Sequence, residues 1–185
     1  MKKLDRFLQR ARIKQAKPFI KKNTRVLDIG CSNGVLFQIL SDRIEFGLGI
    51  DPDLSESQNY RNYELRKGYF PKDIKETDGF FDVITILAVI EHIPASDLPE
   101  FVDACIHLLK PGGYIVITVP SKIVDEILVV MKFIGLIDGM ALEQHHHYES
   151  GQIPRYFSRK PIIFHLHKRF QLGLNNLFVL NKSLD

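Results

Sequence analysis

The sequence predicts an α/β fold with a doubly wound, mostly parallel sheet of seven strands. Apolar runs of strand length alternate with helix-like stretches, which is the pattern of βα units around a parallel sheet. Gly30 and Gly34 follow the first run and precede a helix-like stretch, as at the ligand-binding edge of such sheets. Two apolar runs around Asn175 and Asn176 predict a tight antiparallel hairpin, because asparagine tolerates left-handed backbone angles.

Each predicted element follows from its local sequence. The predicted strands are Val26–Ile29, Phe46–Ile50, Glu64–Lys67, Phe81–Leu87, Tyr114–Val119, Phe170–Leu174 and Leu177–Leu180. The predicted helices run near Asn33–Ser41, from Ser96 or Asp97 to Leu109, and over Val124–Leu136. Pro111-Gly112-Gly113 stops the second of these helices. Ser158-Arg159-Lys160-Pro161 predicts one more helix start, with Ile162, Ile163 and Leu166 facing inward.

The bulk composition predicts a single cytoplasmic domain, 1–185. Hydrophobic residues make up 45% of the chain and charged residues 25%, which are ordinary globular values. Two cysteines provide no disulfide framework and favour a reducing compartment. The first residues lack the apolar core of a signal peptide, and no segment has the eighteen uninterrupted apolar residues of a membrane span.

Positive charge is concentrated at the N-terminal end. Residues 1–25 contain ten Lys or Arg and one acid, a charge of +9, so the other 160 residues carry −6. Leu4, Phe7, Leu8, Ala11 and Gln15 have helical spacing, which predicts a basic amphipathic helix within 1–22. The favoured interpretation is a solvated helix that covers the sheet or the mouth of the site. Peripheral contact with an anionic membrane, or with an acidic substrate, is the next alternative. Nucleic acid is disfavoured because few aromatic residues interleave with the charges.

The segment Val26–Gly34 predicts a site for a nucleoside-like ligand. Glycine permits positive φ and has no Cβ to collide with a ligand lying on the main chain. Asp51 ends the second predicted strand, 21 residues after Gly30, close to the spacing of about 20 at which βαβ units place a ribose-binding acid. One carboxylate can accept hydrogen bonds from both ribose hydroxyls. A dinucleotide is disfavoured, because Ser32 and Val35 occupy the second and third glycine positions of Gly-x-Gly-x-x-Gly.

Four spaced segments resemble those of the Rossmann-like class of S-adenosylmethionine-dependent methyltransferases. They are Val26–Gly34, Asp51 after the second strand, Ile84–Ile93 leaving the fourth, and Leu108-Leu109-Lys110-Pro111-Gly112-Gly113 before the fifth. The hairpin at the C-terminal end is similar to the antiparallel pair of that family. The resemblance implies S-adenosylmethionine as the cofactor and S-adenosylhomocysteine as its product. Ser32 departs from the glycine that is commoner in the family at that place, although small residues are tolerated there.

The resemblance also implies which residues contact this cofactor. Its methionine part would lie against Gly30 and Gly34, with its carboxylate on main-chain N–H groups near the helix start. Asp28 would orient the loop or accept a hydrogen bond from the ammonium group, and Asp51 would bind the ribose. Tyr69 or Phe70 would stack on adenine unless both are core aromatics, with Asp73 as an alternative acceptor. The full set is Asp28, Gly30, Cys31, Ser32, Gly34, Asp51, Pro52, Tyr69, Phe70, Ala88 and Glu91.

Catalysis needs little beyond in-line placement of an acceptor, with a general base for a hydroxyl or an amine. His92 is one candidate base and His146, in the run His145–His147, is the other. We expect no metal site, because three consecutive histidines cannot all face one ion from a helix or a strand.

The predicted function is S-adenosylmethionine-dependent methylation of a small molecule at oxygen or nitrogen. Segment 121–157 is expected to form a partly hydrophobic lid over the acceptor, since it contains the apolar run Val124–Leu136. One alternative is a non-catalytic binding or scaffold subunit with the same fold. Another is an RNA or protein methyltransferase, although no Asn/Asp-Pro-Pro-Tyr motif is present.

Overall fold

The structure, a computed structural model, describes residues 3–121, 153–157 and 160–184. The helices are α1 Lys3–Ala16, α2 Val35–Leu40, α3 Leu98–Leu108 and α4 Ile153–Phe157, and short 3-10 turns cover Lys17–Phe19 and Ile90–His92. The strands are β1 Thr24–Ile29, β2 Ile44–Asp51, β3 Gln58–Asn59, β4 Tyr63–Lys67, β5 Phe81–Leu87, β6 Leu109–Pro120, β7 Ile162–Phe170 and β8 Asn175–Lys182.

The eight strands of the described residues form one sheet in the order β3-β4-β2-β1-β5-β6-β8-β7. The five strands from β4 to β6 are parallel, whereas β3 pairs with β4, and β8 with both of its neighbours, in antiparallel fashion. The predicted α/β class and the C-terminal antiparallel pair are therefore confirmed. The eighth strand, β3, has only two residues and was not predicted.

Two apolar cores lie on opposite faces of the sheet. Side chains of α1 and α2, including Ile13, Leu36 and Phe37, pack on one face, and side chains of α3 and α4, including Phe101 and Phe157, pack on the other. This three-layer arrangement leaves the carboxyl ends of β1, β2 and β5 together at one edge, as expected for a doubly wound sheet.

The predicted helix after Ser158 is wrong, because Ile162–Phe170 is a strand. Its middle residues are mostly exposed. Ile162 is buried, Ile163 is exposed and Leu166 is half-buried, so these three residues do not form the inward face that was predicted. The predicted Val124–Leu136 helix and His145–His147 lie outside the described residues. No helix in the described part of the chain is long and apolar enough to span a membrane.

The predicted hairpin exists, but its turn lies just before Asn175 and Asn176, within the predicted strand Phe170–Leu174, of which only Phe170 is in a strand. Phe170 pairs with Asn175, and residues 171–174 form the turn. Gln171, Leu172 and Gly173 adopt φ values of +52°, +56° and +87°. The two asparagines begin β8 instead, and both are buried.

Candidate functional site

The loop after β1 is fastened to the end of β2. The backbone N–H groups of Gly30 and Cys31 both donate to the carbonyl of Ile50, with N to O distances of 2.9 and 3.4 Å. The N–H of Gly34 donates back to the carbonyl of Cys31 at 3.0 Å. The loop therefore has a fixed position between β1 and α2.

Both glycines of this loop are required by the backbone and by packing. Gly30 has a φ of +73°, and a Cβ built there would lie 2.2 Å from Cγ2 of Val89. Gly34 has a φ of +69°, and its Cβ would lie 2.8 Å from Cδ1 of Leu65. The positive φ values agree with the sequence analysis, but the space that glycine leaves is filled by protein side chains.

Asp51 connects the loop to the turn after β2. Its Oδ2 accepts a hydrogen bond from the N–H of Ser32 at 2.8 Å, and its Oδ1 accepts one from the N–H of Asp53 at 2.9 Å. Ser32 has a φ of +49°, so the serine occupies a left-handed conformation that glycine adopts more easily. Each carboxylate oxygen has a second lone pair, so these contacts leave acceptor capacity for a ribose diol.

Asp28 is a buried carboxylate next to this loop. It is 4% exposed, and the hydroxyl of Thr85 donates to its Oδ1 at 2.6 Å. Burial raises the pKa of Asp28 to about 7, the hydrogen bond from Thr85 opposes the rise, and the negative charge of Asp51 adds to it. A cation placed beside Asp28 would favour the charged carboxylate.

A pocket of about 40 Å³, which we call the α1 pocket, opens between α1 and this loop. It is lined by Gln9, Arg12, Ile13, Asp28, Gly30, Cys31, Leu36 and Leu87. One cation, Arg12, and one carboxylate, Asp28, thus share a small space. This pair of charges is complementary to the carboxylate and ammonium groups of an amino acid.

The predicted N-terminal helix is present as α1, but Arg12 and Gln9 were missed because the predicted apolar face is offset from the side that packs. Phe7 belonged to that face, yet it is 65% exposed. The side that packs instead carries Gln9, Arg12, Ile13 and Ala16, at positions i, i+3, i+4 and i+7. This spacing is visible in the sequence, but two polar residues among the four concealed it.

A second, larger space begins at the same glycine, and we call it the Phe70 cleft. It has a volume of about 610 Å³ and a mostly apolar lining that includes Gly30, Ile50, Pro52, Tyr69, Phe70, Val89, His92 and Phe101. Five residues predicted for the site, Gly30, Pro52, Tyr69, Phe70 and His92, therefore lie along one cleft. Phe70 is partly buried against Phe101, with ring centroids 4.9 Å apart, whereas Tyr69 is 66% exposed.

The other predicted site residues have distinct surroundings. Asp73 accepts a hydrogen bond from the N–H of Tyr69 at 2.8 Å and lines a separate polar cleft. Ala88 adopts a φ of +60° directly after β5, and Glu91 is buried in the following 3-10 turn. Burial also raises the pKa of the Cys31 thiol, which keeps it protonated and a weak nucleophile. His146 lies outside the described residues.

No cluster of three His, Cys, Asp or Glu side chains suited to a metal ion occurs in the described ranges.

Comparisons with known proteins identify the family and the fold. Residues 2–162 match the family described as a methyltransferase domain. A ubiquinone biosynthesis O-methyltransferase of Acinetobacter baumannii is 33% identical over 100 residues, which cover 49% of this chain and 41% of that protein. The match thus spans less than half the length of this curated relative.

Two solved structures share the fold. A SAM-dependent methyltransferase from Archaeoglobus fulgidus superposes with a TM-score of 0.69 at 18% identity, over 96% of this chain and 94% of its own. The Burkholderia thailandensis 1,6-didemethyltoxoflavin-N1-methyltransferase, solved with bound 1,6-didemethyltoxoflavin and S-adenosylhomocysteine, gives a TM-score of 0.68 at 12% identity, over 95% of this chain and 78% of its own. Since the family match extends over most of the sequence, this chain belongs to the family of methyltransferase domains.

Proposed function

We propose that this protein transfers a methyl group from S-adenosylmethionine to a small-molecule acceptor that is partly apolar. One observation carries the proposal: the charged α1 pocket and the apolar Phe70 cleft are both lined by Gly30, whose N–H donates to the carbonyl of Ile50, the residue before Asp51. S-adenosylmethionine has a zwitterionic end, a ribose diol and an aromatic base in the same order.

Each part of the site then has one task. Arg12 binds the carboxylate of the methionine part and Asp28 accepts a hydrogen bond from its ammonium group. Arg12 takes this role because the N–H groups of Gly30, Cys31, Ser32 and Gly34 already donate to protein oxygens. Asp51 accepts hydrogen bonds from the ribose, and Phe70 contacts the base.

The chemistry of the transfer needs mainly orientation. When bound, S-adenosylmethionine supplies an electrophilic methyl group on a sulfonium, which needs no further activation by the protein. The residues of the α1 pocket hold one end of the molecule in place, so that an acceptor can approach in line. His92, on the wall of the Phe70 cleft, is the candidate base that takes the proton of an acceptor hydroxyl or amine. His146 is the second candidate.

The acceptor class is supported by the relatives and by the cleft. The curated relative is named as an O-methyltransferase of ubiquinone biosynthesis, which favours transfer to oxygen over nitrogen. The Phe70 cleft offers mostly apolar surface, which suits an acceptor with an aromatic or alkyl part. The cytoplasmic location predicted from the sequence stays a prediction.

The proposal is tested by calorimetric titration with S-adenosylhomocysteine, using the wild type and Asp51→Asn. Asparagine keeps one oxygen acceptor but loses the charge, so we expect affinity to fall about tenfold to 100-fold, the range for a charge-assisted hydrogen bond. Asp42→Asn, at an exposed position before β2, is the matched control and should leave affinity unchanged. No binding by the wild type, or equal binding by Asp51→Asn, would contradict the assignment.

The acceptor is then found by incubating the protein with labelled S-adenosylmethionine and a cell extract and identifying the labelled product by mass spectrometry. A labelled small molecule supports the proposal. Labelled RNA or protein would support the macromolecular alternative, and cofactor binding without any labelled product would support a non-catalytic subunit.

A further inference from the structure

We propose that one edge of the molecule, formed by the exposed side of α1 and the turn between β7 and β8, docks on an anionic lipid bilayer. We call it the basic edge. Its side chains are Arg6, Phe7, Arg10, Lys14 and Lys17 from the N-terminal segment and Lys168 and Leu172 from the hairpin. Docking requires no bound cofactor, so this inference goes beyond the proposed function.

The N-terminal part of the basic edge is a stripe of exposed cations. Arg6, Arg10 and Lys14 repeat every four residues, so they follow one side of α1, and Lys17 continues the stripe into the next turn. Phe7 lies beside the stripe and is 65% exposed. The helix is held on the protein by its other side, so these cations face outward in a fixed arrangement.

The hairpin turn extends this surface and adds an apolar tip. Leu172 is fully exposed at the turn, and the exposed Lys168 precedes it on the side of β7 that faces α1. Lys168 donates through its Nζ to Oε1 of Gln15 on α1, at 3.5 Å.

A chain of polar contacts fixes the turn against α1. Arg12 donates from its Nε to Oδ1 of Asn175 at 3.4 Å, and Asn175 donates from its Nδ2 to Oε1 of Gln171 at 2.6 Å. Asn175 is buried, which strengthens such contacts. These contacts hold the turn beside α1, with the exposed Leu172 at its tip.

Charge and chemistry favour a lipid bilayer as the occupant. Residues 1–25 carry +9 and the rest of the chain −6, so an anionic surface would attract this edge and repel the remainder. Phe7 and Leu172 can enter the headgroup region, as apolar side chains do beside basic helices of peripheral proteins. Nucleic acid would instead be recognised by several aromatic side chains, and leucine provides no stacking surface for a base.

The position of the basic edge also has a consequence for the candidate site. This consequence rests on the proposed function. The opposite side of α1 carries Gln9 and Arg12, which line the α1 pocket. Docking would therefore hold the site close to the bilayer, where an apolar acceptor dissolves.

The test is sedimentation with vesicles of phosphatidylcholine containing about 30% phosphatidylglycerol, compared with pure phosphatidylcholine. We expect the wild type to bind only the anionic vesicles, with binding lost as salt is raised. The variant R6Q/R10Q/K14Q/K17Q should bind at least about 30-fold more weakly, since each cation near an anionic surface contributes. The control R61Q/K75Q/R155Q/K160Q removes four cations elsewhere and should bind within about threefold of the wild type.

Fluorescence locates the contact, because the chain contains no tryptophan. Phe7→Trp and Leu172→Trp should each show a blue-shifted emission with anionic vesicles. Tyr60→Trp, at an exposed position between β3 and β4, should not. Circular dichroism establishes that each variant is folded.

Three results would each overturn the proposal. They are equal binding to both kinds of vesicle, equal weakening of binding in the two charge variants, and an unshifted emission of Leu172→Trp. Binding of an RNA oligonucleotide without vesicle binding would overturn it in favour of nucleic acid. Asp51→Asn should bind vesicles like the wild type, so failure of the cofactor assignment and failure of docking are distinguished.

Discussion

The α1 pocket and the Phe70 cleft share Gly30 but differ in size and polarity. The α1 pocket measures about 40 Å³ and brings Arg12 and Asp28 together, whereas the Phe70 cleft measures about 610 Å³ and is mostly apolar. A pocket of the first size holds a few atoms and selects them by charge. A cleft of the second size lies within the range of small-molecule sites and binds mainly by apolar area. In the proposed site, selectivity would therefore arise in the α1 pocket and affinity in the Phe70 cleft.

The largest expected effect concerns the residue that the two spaces share. Gly30→Ala should reduce the free energy of unfolding by about 3 kcal/mol, because the new Cβ collides with Val89 and takes a left-handed φ. Gly79→Ala is the matched control. Gly79 has a φ of +64°, and a Cβ added there would have no atom within 4 Å, so only the backbone cost of about 1 kcal/mol applies.

Urea unfolding of the two variants measures this difference. If both substitutions cost the same, Val89 does not fix the junction between the two spaces. Gly30→Ala/Val89→Ala should recover part of the loss, because the shorter side chain removes the collision.

Asp28→Asn tests whether the α1 pocket selects by charge. At pH 8 we expect the affinity for S-adenosylhomocysteine to fall about 30-fold, as a charge-assisted hydrogen bond is lost while the size of the side chain is kept. In the wild type this affinity should decrease as the pH falls through about 7, where Asp28 becomes protonated. A variant that keeps wild-type affinity at pH 8 would remove Asp28 from the binding site.

The stability of the unliganded protein should depend on pH in the opposite direction to the affinity. The pKa of Asp28 is raised in the folded state, so the folded state retains a proton that the unfolded state has lost between about pH 4 and pH 7. The contribution of Asp28 to stability is therefore full below about pH 4 and is lost as the pH rises through about 7. Melting temperatures at pH 5 and pH 8 should show this loss in the wild type and not in Asp28→Asn.

Phe70→Ala and Tyr69→Ala test which aromatic residue of the Phe70 cleft stacks on the base. Phe70 is partly buried against Phe101, so its removal should lower the affinity for S-adenosylhomocysteine about fivefold, or about 1 kcal/mol. Tyr69 is 66% exposed, and its removal should change affinity less than about twofold. The reverse order, measured by calorimetry, would identify Tyr69 as the stacking residue.

The smallest effect is expected at Ser32. Its contact with Asp51 uses the backbone N–H, which Ser32→Gly keeps. Relief of the left-handed φ and the greater freedom of glycine in the unfolded chain oppose each other, so stability should change by no more than about 0.5 kcal/mol. Cofactor affinity should change less than about twofold, and a tenfold loss would show that the hydroxyl itself binds.

The parallel part of the sheet was predictable because its signals are local. Short apolar runs mark β1, β2, β5 and β6, and the structure confirms all four. Gly30 follows the first run, Asp51 ends the second, and Pro111-Gly112-Gly113 precedes the fourth. The C-terminal hairpin was located less well. Asn175 and Asn176 looked like turn residues, but Arg12, Gln171 and His167 contact their side chains and hold them at the start of β8.

The sequence by itself determined the α/β class, the glycine loop, the carboxylate at the end of β2 and the resemblance to methyltransferases. These features depend on residue types at short spacing, because strand, turn and backbone angle are set locally. Only the tertiary structure decided that Arg12 joins Asp28 and that Gln171 and Leu172 form the turn. It also placed that turn against α1. These outcomes depend on contacts between residues far apart in the chain. The local spacing of residue types does not determine which side of a helix packs against which strand.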